Sequence, residues 1–185
     1  MAKYKITNLV ASADLGIELD LYQLPLKFKN IEYEPEQFPG AILKFNNPKA
    51  TLLLFKNGRT VIVGCKDKKL IKEALVRAYK MLFPYSKKIS KKLDEKNIKF
   101  EITNIVAAGD VEMKLDLFKL AMNVEEDIEY EPEQFPGAVL RFRNPPISLL
   151  IFRNGKLIIA GAKSKEEIEK ILERTEKIVK KYQEK

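Results

Sequence analysis

Residues 31–41 read IEYEPEQFPGA, and residues 128–138 read IEYEPEQFPGA again. Eleven identical residues at an offset of 97 mark an internal duplication, and the match runs on in both directions. Downstream, FNNP at Phe45 answers FRNP at Phe142, LLLFKNG at Leu52 answers LLIFRNG at Leu149, and VGCK at Val63 answers AGAK at Ala160. Upstream, ITNLVAS at Ile6 answers ITNIVAA at Ile102, and LDL at Leu19 answers LDL at Leu115, now at an offset of 96. One residue was gained or lost between Leu24 and Ile31. Two copies of about 90 residues are too few and too long for a solenoid. They predict two similar units about a pseudo-twofold axis, residues 1–92 and 93–185, with the junction at 87–97.

Within each copy the apolar period supports one order of elements. Lys5 to Ser12 alternates as a strand, and Asp20 is placed to cap a short helix through Phe28. Four segments rich in β-branched and aromatic residues follow: 31–34, 40–45, 51–55 and 59–65. They are punctuated by Pro35, Phe38-Pro39-Gly40, Asn47-Pro48 and Asn57-Gly58. Asp67 then opens a helical run in which Leu70, Ile71, Ala74, Leu75, Ala78 and Leu82 share a face, ending before Pro84. Strands joined by short turns are antiparallel. The expected fold is therefore α+β, two tandem strand-helix-four strands-helix repeats with the helices on one face of an antiparallel sheet.

Composition narrows the function. The chain of 185 residues is 45% hydrophobic and 32% charged, enough for a core and without low-complexity bias. No apolar run approaches a membrane span, and residues 1–10 lack the layout of a signal peptide, so a cytoplasmic location is expected. No histidine and one cysteine exclude His-based triads, His/Cys zinc sites and intrachain disulfides. The net charge of +8 suggests a polyanionic partner. It is unevenly shared: residues 1–92 carry 18 basic and 8 acidic side chains, net +10, while 93–185 carry 16 and 18, net −2.

The strands are too apolar for a sheet covered on one side only. Leu52 to Phe55 and Val61 to Val63 are apolar at both parities, as are Leu149 to Phe152 and Leu157 to Ala160. A two-residue turn at Asn57-Gly58 would set Phe55 opposite Thr60; a three-residue loop would set it opposite Val61, on a face shared with Leu53 and Val63. Either register leaves apolar surface away from the helices, for another chain or a ligand to cover. Phe38 and Phe135 lie in Gln-Phe-Pro-Gly turns, where a large side chain either projects from the loop tip or folds back as a plug. Lys44, Lys56, Arg59 and Lys66 answer Arg141, Arg153, Lys156 and Lys163. Apolar wedges rimmed by cations suit a nucleic-acid minor groove: the cations meet phosphates and the wedges enter between base steps.

With EQFPG, LLLFKNG or LLIFRNG, and GCK or GAK each in duplicate, the chain resembles the TATA-box-binding protein family over about residues 3–182, in its archaeal form. The resemblance implies one curved ten-stranded saddle with helices on the convex face. It also implies a general transcription initiation factor, not an enzyme, that needs no cofactor or metal. By the same resemblance Phe38, Phe55, Phe135 and Phe152 are the intercalating residues. Asn8 and Asn104 are the base-edge asparagines, their amides donating to the adenine N3 and thymine O2 acceptors of the minor groove. Val10, Leu53, Val61 and Val63, with Val106, Leu150, Ile158 and Ala160, complete the base-edge contacts. Val63 and Ala160 stand where the family often has threonine. Lys44, Arg59, Lys66, Arg141, Lys156 and Lys163 are matched to the phosphates.

The implied partners are double-stranded promoter DNA, transcription factor B, bound through Glu131, Glu133 and Gln134, and, through that factor, RNA polymerase. Glu34 and Glu36 stand in identical context, so only the surrounding charge favours the second copy. The chain is expected as a monomer on DNA, with homodimers open to it when free. Two other readings fit parts of the sequence: a carrier of a flat apolar ligand, and a carboxylate enzyme using Asp14 and Asp20 or their counterparts Asp110 and Asp116. Duplicated acids at strand and helix ends are more simply caps and turns.

Overall fold

The computed structural model describes residues 2–47 and 49–184. In chain order the first half comprises β1 (Lys3–Asp14), β2 (Ile17–Leu19), α1 (Leu24–Lys27), β3 (Ile31–Glu32), β4 (Ala41–Asn46), β5 (Lys49–Leu54), β6 (Arg59–Cys65), α2 (Lys68–Leu82) and β7 (Ser86–Ile89). The second comprises β8 (Phe100–Asp110), α3 (Leu117–Asn123), β9 (Asp127–Glu129), β10 (Ala138–Arg143), β11 (Pro146–Ile151), β12 (Lys156–Ala162) and α4 (Lys165–Val179). The expected turn at Asn47-Pro48 includes Pro48, which lies outside the described residues.

Two compact units emerge. One is residues 8–103; the other joins residues up to 7 to residues from 104 onward. Each unit therefore holds part of both β1 and β8. In the 8–103 unit the strand order is β3-β4-β5-β6-β1, with the start of β8 beyond; in the other it is β9-β10-β11-β12-β8, with the start of β1 beyond. The hydroxyl of Thr103 donates to the Val10 carbonyl at 3.2 Å, and that of Thr7 to the Val106 carbonyl at 3.1 Å.

Each sheet has one face under a long helix. In the 8–103 unit, Ala41, Leu43, Leu52, Leu54 and Ile62 are fully buried with Ile71, Ala74, Leu75, Ala78 and Leu82 of α2. The Asp67 carboxylate caps α2 by accepting from Leu70 N at 2.9 Å. In the second unit Leu140, Leu149, Ile151 and Ile159 lie buried with Ile168, Ile171 and Leu172 of α4, capped by Ser164 through Glu167 N at 3.2 Å. Arg77 stacks 4.3 Å over Phe45 and Arg174 stacks 4.5 Å over Phe142, tying each helix to its β-hairpin. Among the described residues, no helix is long and apolar enough to cross a membrane.

Two expectations need correction, and one strand is additional to those expected. The helix expected from Asp20 to Phe28 is only the single turn α1, and the Asp20 carboxylate accepts from Tyr22 N in a turn instead. Pro25 tolerates only the first positions of a helix, so α1 starts late, whereas α3, without a proline, takes seven residues from an Asp116 cap. The junction begins as a strand, because β7 pairs antiparallel with β2. Finally, neither proposed register holds at Asn57-Gly58. Phe55 N donates to Arg59 O and Gly58 N to Phe55 O, both at 2.9 Å, so a three-residue loop sets Phe55 opposite Arg59 and Leu53 opposite Val61.

Candidate nucleic-acid interface

The helix-free face of each sheet is half-exposed and apolar. Register places Ile42 beside Leu53, Leu53 beside Val61, and Val61 beside Ser12, with Val63 and Val10 on the same half-exposed row. In the other unit Val139 neighbours Leu150, Leu150 neighbours Ile158, and Ala160 neighbours Val106. Ile158 stays 38% exposed, high for a sheet isoleucine in a folded chain. All eight aliphatic residues expected on this face lie on it. Ile42 and Val139 join them; strand alternation through β4 and β10 was the signal that would have found them.

At one end of each face two phenylalanines meet. Phe38 and Phe55 pack edge to face with ring centroids 5.8 Å apart, and Phe135 and Phe152 repeat the arrangement at 5.8 Å. Main-chain turns present the tip residues: Phe38 N donates to Glu34 O at 3.0 Å, and Phe135 N to Glu131 O at 2.9 Å. The glycine two residues on lets the rings approach the backbone. A Cβ at Gly40 would lie 2.8 Å from Phe38 Cε2, and one at Gly137 would lie 2.9 Å from Phe135 Cε2 and 3.1 Å from Phe152 Cε1. The tip phenylalanine is thus neither a buried plug nor a free flag. Phe135 keeps 38% of its surface exposed while its partner holds its direction.

Asn8 and Asn104 sit on the same faces, and each binds a bulge. Asn8 Oδ1 accepts from Gly64 N at 2.8 Å, and Asn104 Oδ1 from Gly161 N at 2.7 Å. Both strand pairs shift register there, and both glycines have positive φ, 92° and 101°, a backbone that side chains rarely adopt. The local backbone bond that competes with base recognition is therefore present, but it occupies the oxygen only. Among the described residues Nδ2 has no partner, which leaves each amide its two donors.

The cations differ between the units. Lys44, Arg59 and Lys66 are exposed and make no ion pair among the described residues. Arg141 lies 3.5 Å from Glu129 and 3.9 Å from Asp127. Lys156 Nζ donates to Asp110 at 2.8 Å, a bond that lifts the ammonium's pKa and lowers the carboxyl's. Arg153 makes two bonds to Glu184, at 2.9 and 3.2 Å. Lys163 is exposed, its main-chain N–H held by Glu167. Glu131, Glu133 and Gln134 are exposed on the turn that carries Phe135. No group of acids and cysteine able to hold a metal is found among the described residues. Asp14 and Asp110 each accept a main-chain N–H two residues on, and Asp116 caps α3, so these acids serve turns and a cap.

The family model described as transcription factor TFIID, or TATA-binding protein, matches residues 3–85 and 99–182. A TATA-box-binding protein of Archaeoglobus fulgidus is 40% identical over 173 residues, covering 93% of this chain and 92% of that protein. One of Sulfurisphaera tokodaii is 39% identical over 173 residues, covering 94% and 84%. The solved structure of Methanococcus jannaschii TBP superposes with a TM-score of 0.85 at 35% identity, over 97% of this chain and 99% of that one. The two-repeat α+β fold, in each unit an antiparallel sheet with a long helix over one face, is shared with that relative. On these grounds the chain belongs to the TATA-binding protein family.

Proposed function

We propose that this chain is a general transcription initiation factor that binds the minor groove of A·T-rich TATA-box promoter DNA. Family membership supports the class of activity, and the observation that carries the reading is the edge-to-face phenylalanine pair bordering a half-exposed apolar sheet face in each unit. In this reading the repeats 1–92 and 93–185 each lay one apolar face along a widened groove. Phe38 with Phe55, and Phe135 with Phe152, enter a base step apiece, and the kink draws on the deformability of TA steps. Asn8 and Asn104 donate from Nδ2 to adenine N3 and thymine O2, while the guanine amino group would meet a donor with a donor. Val10, Leu53, Val61, Val63, Val106, Leu150, Ile158 and Ala160 exclude water from the base edges. Val63 and Ala160 contribute no hydroxyl. Lys44, Arg59, Lys66, Arg141, Lys156 and Lys163 meet phosphates.

Recruitment follows from the other surface of the tip turn. Glu131, Glu133 and Gln134 bind transcription factor B, which brings RNA polymerase, and the less basic second half favours a basic factor there. The monomer acts on DNA; pairing of apolar faces offers free molecules a homodimer. Fluorescence anisotropy with an A·T-tract duplex and a G·C-substituted duplex of equal length, at one salt concentration, tests the core of this reading. Strong preference for the A·T duplex is expected. Equal binding would reduce the interaction to charge, and no binding would turn the face over to an apolar ligand or a second copy.

A further inference from the structure

The segment between the two matched stretches, residues 86–98, falls outside the family pattern, and it is basic. It carries five lysines, at 87, 88, 91, 92 and 96, against Asp94 and Glu95, and Lys99 follows it directly. It is held in place. β7 pairs with β2, Ser90 N and Lys91 N both donate to the Gly16 carbonyl at 2.8 and 3.0 Å, and Ile98 is buried at 2% exposure.

Its position is next to the phenylalanine pair of the same unit. One groove of about 730 Å³ runs from Phe55 and Val61 past Lys56 and Arg59 to Ser90. A second, of about 570 Å³, shares Ser12, Ala13 and Arg59 with the first and adds Lys91, Lys92 and Lys99. The acids lining it are Asp14, Asp94 and Glu101. Asp14 accepts from Gly16 N and Asp94 from Lys96 N; none of the three makes an ion pair with the groove's cations among the described residues.

The duplication supplies an internal comparison. In the other unit the C-terminal residues take the place of β7: Gln183 bridges to Leu115 as Ser86 pairs with Leu19. There Glu184 neutralises Arg153. At the corresponding positions the 8–103 unit has Lys87 and Lys56, both exposed. The same architectural place thus closes a cation in one unit and accumulates cations in the other.

We propose that residues 86–99 form a second phosphate-binding surface, which takes the backbone of duplex DNA flanking the A·T tract on the side bound by residues 8–103. It rests on the reading that the open face takes DNA. The occupant is duplex backbone because the grooves are continuous with Phe55, Arg59 and Val61 of that face, and successive phosphates would meet the lysines that line them, Lys56, Lys91, Lys92 and Lys99.

The test compares the full chain with its Lys91→Gln/Lys92→Gln/Lys99→Gln variant. Anisotropy titrations run from about 50 to about 200 mM salt. They use a duplex trimmed to the A·T tract and one with a helical turn of flank on each side. Each phosphate contact contributes about 0.9 to the slope of log K against log salt, so the variant's slope on the long duplex falls by up to about 2.7, with no change on the short one. Circular dichroism establishes that the variant is folded. A second variant, Lys69→Gln/Lys72→Gln/Lys80→Gln on the exposed side of α2, removes equal charge and leaves the slope on the long duplex unchanged. An unchanged slope in the junction variant overturns the proposal, as does equal loss on both duplexes, or equal loss from the α2 variant; in each case a preserved A·T preference leaves the reading of the open face standing. If the unaltered chain shows no A·T preference, that reading falls and this proposal with it.

Discussion

Truncating Phe135 to alanine separates a wedge from a core residue by magnitude. A phenylalanine carries about 200 Å² of surface. With 38% of Phe135 exposed, about 75 Å² remains for DNA to cover, worth about 2 kcal/mol. Phe135→Ala is therefore expected to weaken binding to an A·T duplex by about 30-fold at fixed salt. The part already buried rests against Phe152 at a loop tip that can relax, so the cost to folding should be about 2 kcal/mol, within the stability of an ordinary domain. Anisotropy gives the affinity, energy transfer between end-labelled DNA strands gives the bend, and circular dichroism gives the folded fraction. Affinity and bend should fall together with the protein still folded. A variant that unfolds while its remaining native fraction bends DNA normally would make Phe135 a core residue and refute the reasoning.

Asn104→Asp keeps an oxygen for Gly161 N but replaces the Nδ2 donors with an acceptor. A melting temperature near that of the parent and an affinity for A·T DNA reduced at least tenfold are expected; unchanged affinity would remove Asn104 from base recognition. Asp110→Asn frees Lys156, and the salt slope of DNA binding should steepen by about 0.9 if that ammonium reaches a phosphate. The same variant bears on pH. The hydrogen bond from Lys156, followed by that from Glu112 N, holds the Asp110 carboxyl below its ordinary value. Its contribution to stability is thus present above the unfolded aspartate value, about 3.9, and is lost as pH falls through the lowered folded one, so the variant's thermal stability should vary less across that acid limb. Glu131→Lys/Glu133→Lys should abolish binding of transcription factor B while leaving binding to A·T DNA intact, as read by a pull-down on promoter DNA; retained factor binding would place that contact elsewhere.

The repeat, the antiparallel order and the apolar second face were all legible, because a duplicated sequence reports its own boundaries and because both-parity apolar strands admit few arrangements. The caps at Asp67 and Asp116 were legible for the same local reason. What escaped depended on contacts distant in sequence. β7 pairs with β2 across some seventy residues, and no local pattern in SKKI signals it. The loop after Phe55 was decided by the hydrogen bond from Gly58 N to Phe55 O, which composition leaves open between two loop lengths. Shortening of α1 was readable at Pro25, which a helix accepts only in its first turn. The six matched cations looked equivalent in the sequence; their difference lies in where Asp110, Asp127 and Glu129 come to rest.

On the proposal that Asn8 and Asn104 read base edges, the bond between each asparagine and its bulge glycine bears on how discrimination would be prepared. A half-turn of the amide would exchange oxygen for nitrogen and set a donor against the glycine N–H, forfeiting a bond worth about 1 kcal/mol and leaving two donors opposed. The amide is therefore locked before any DNA arrives. Orientation entropy is spent during folding rather than at the proposed encounter, where a guanine would meet a group that cannot swivel to accommodate it. Selectivity at Asn8 and Asn104 would then behave as a property of the backbone bulge, inherited by whichever sequence keeps a glycine at 64 and 161.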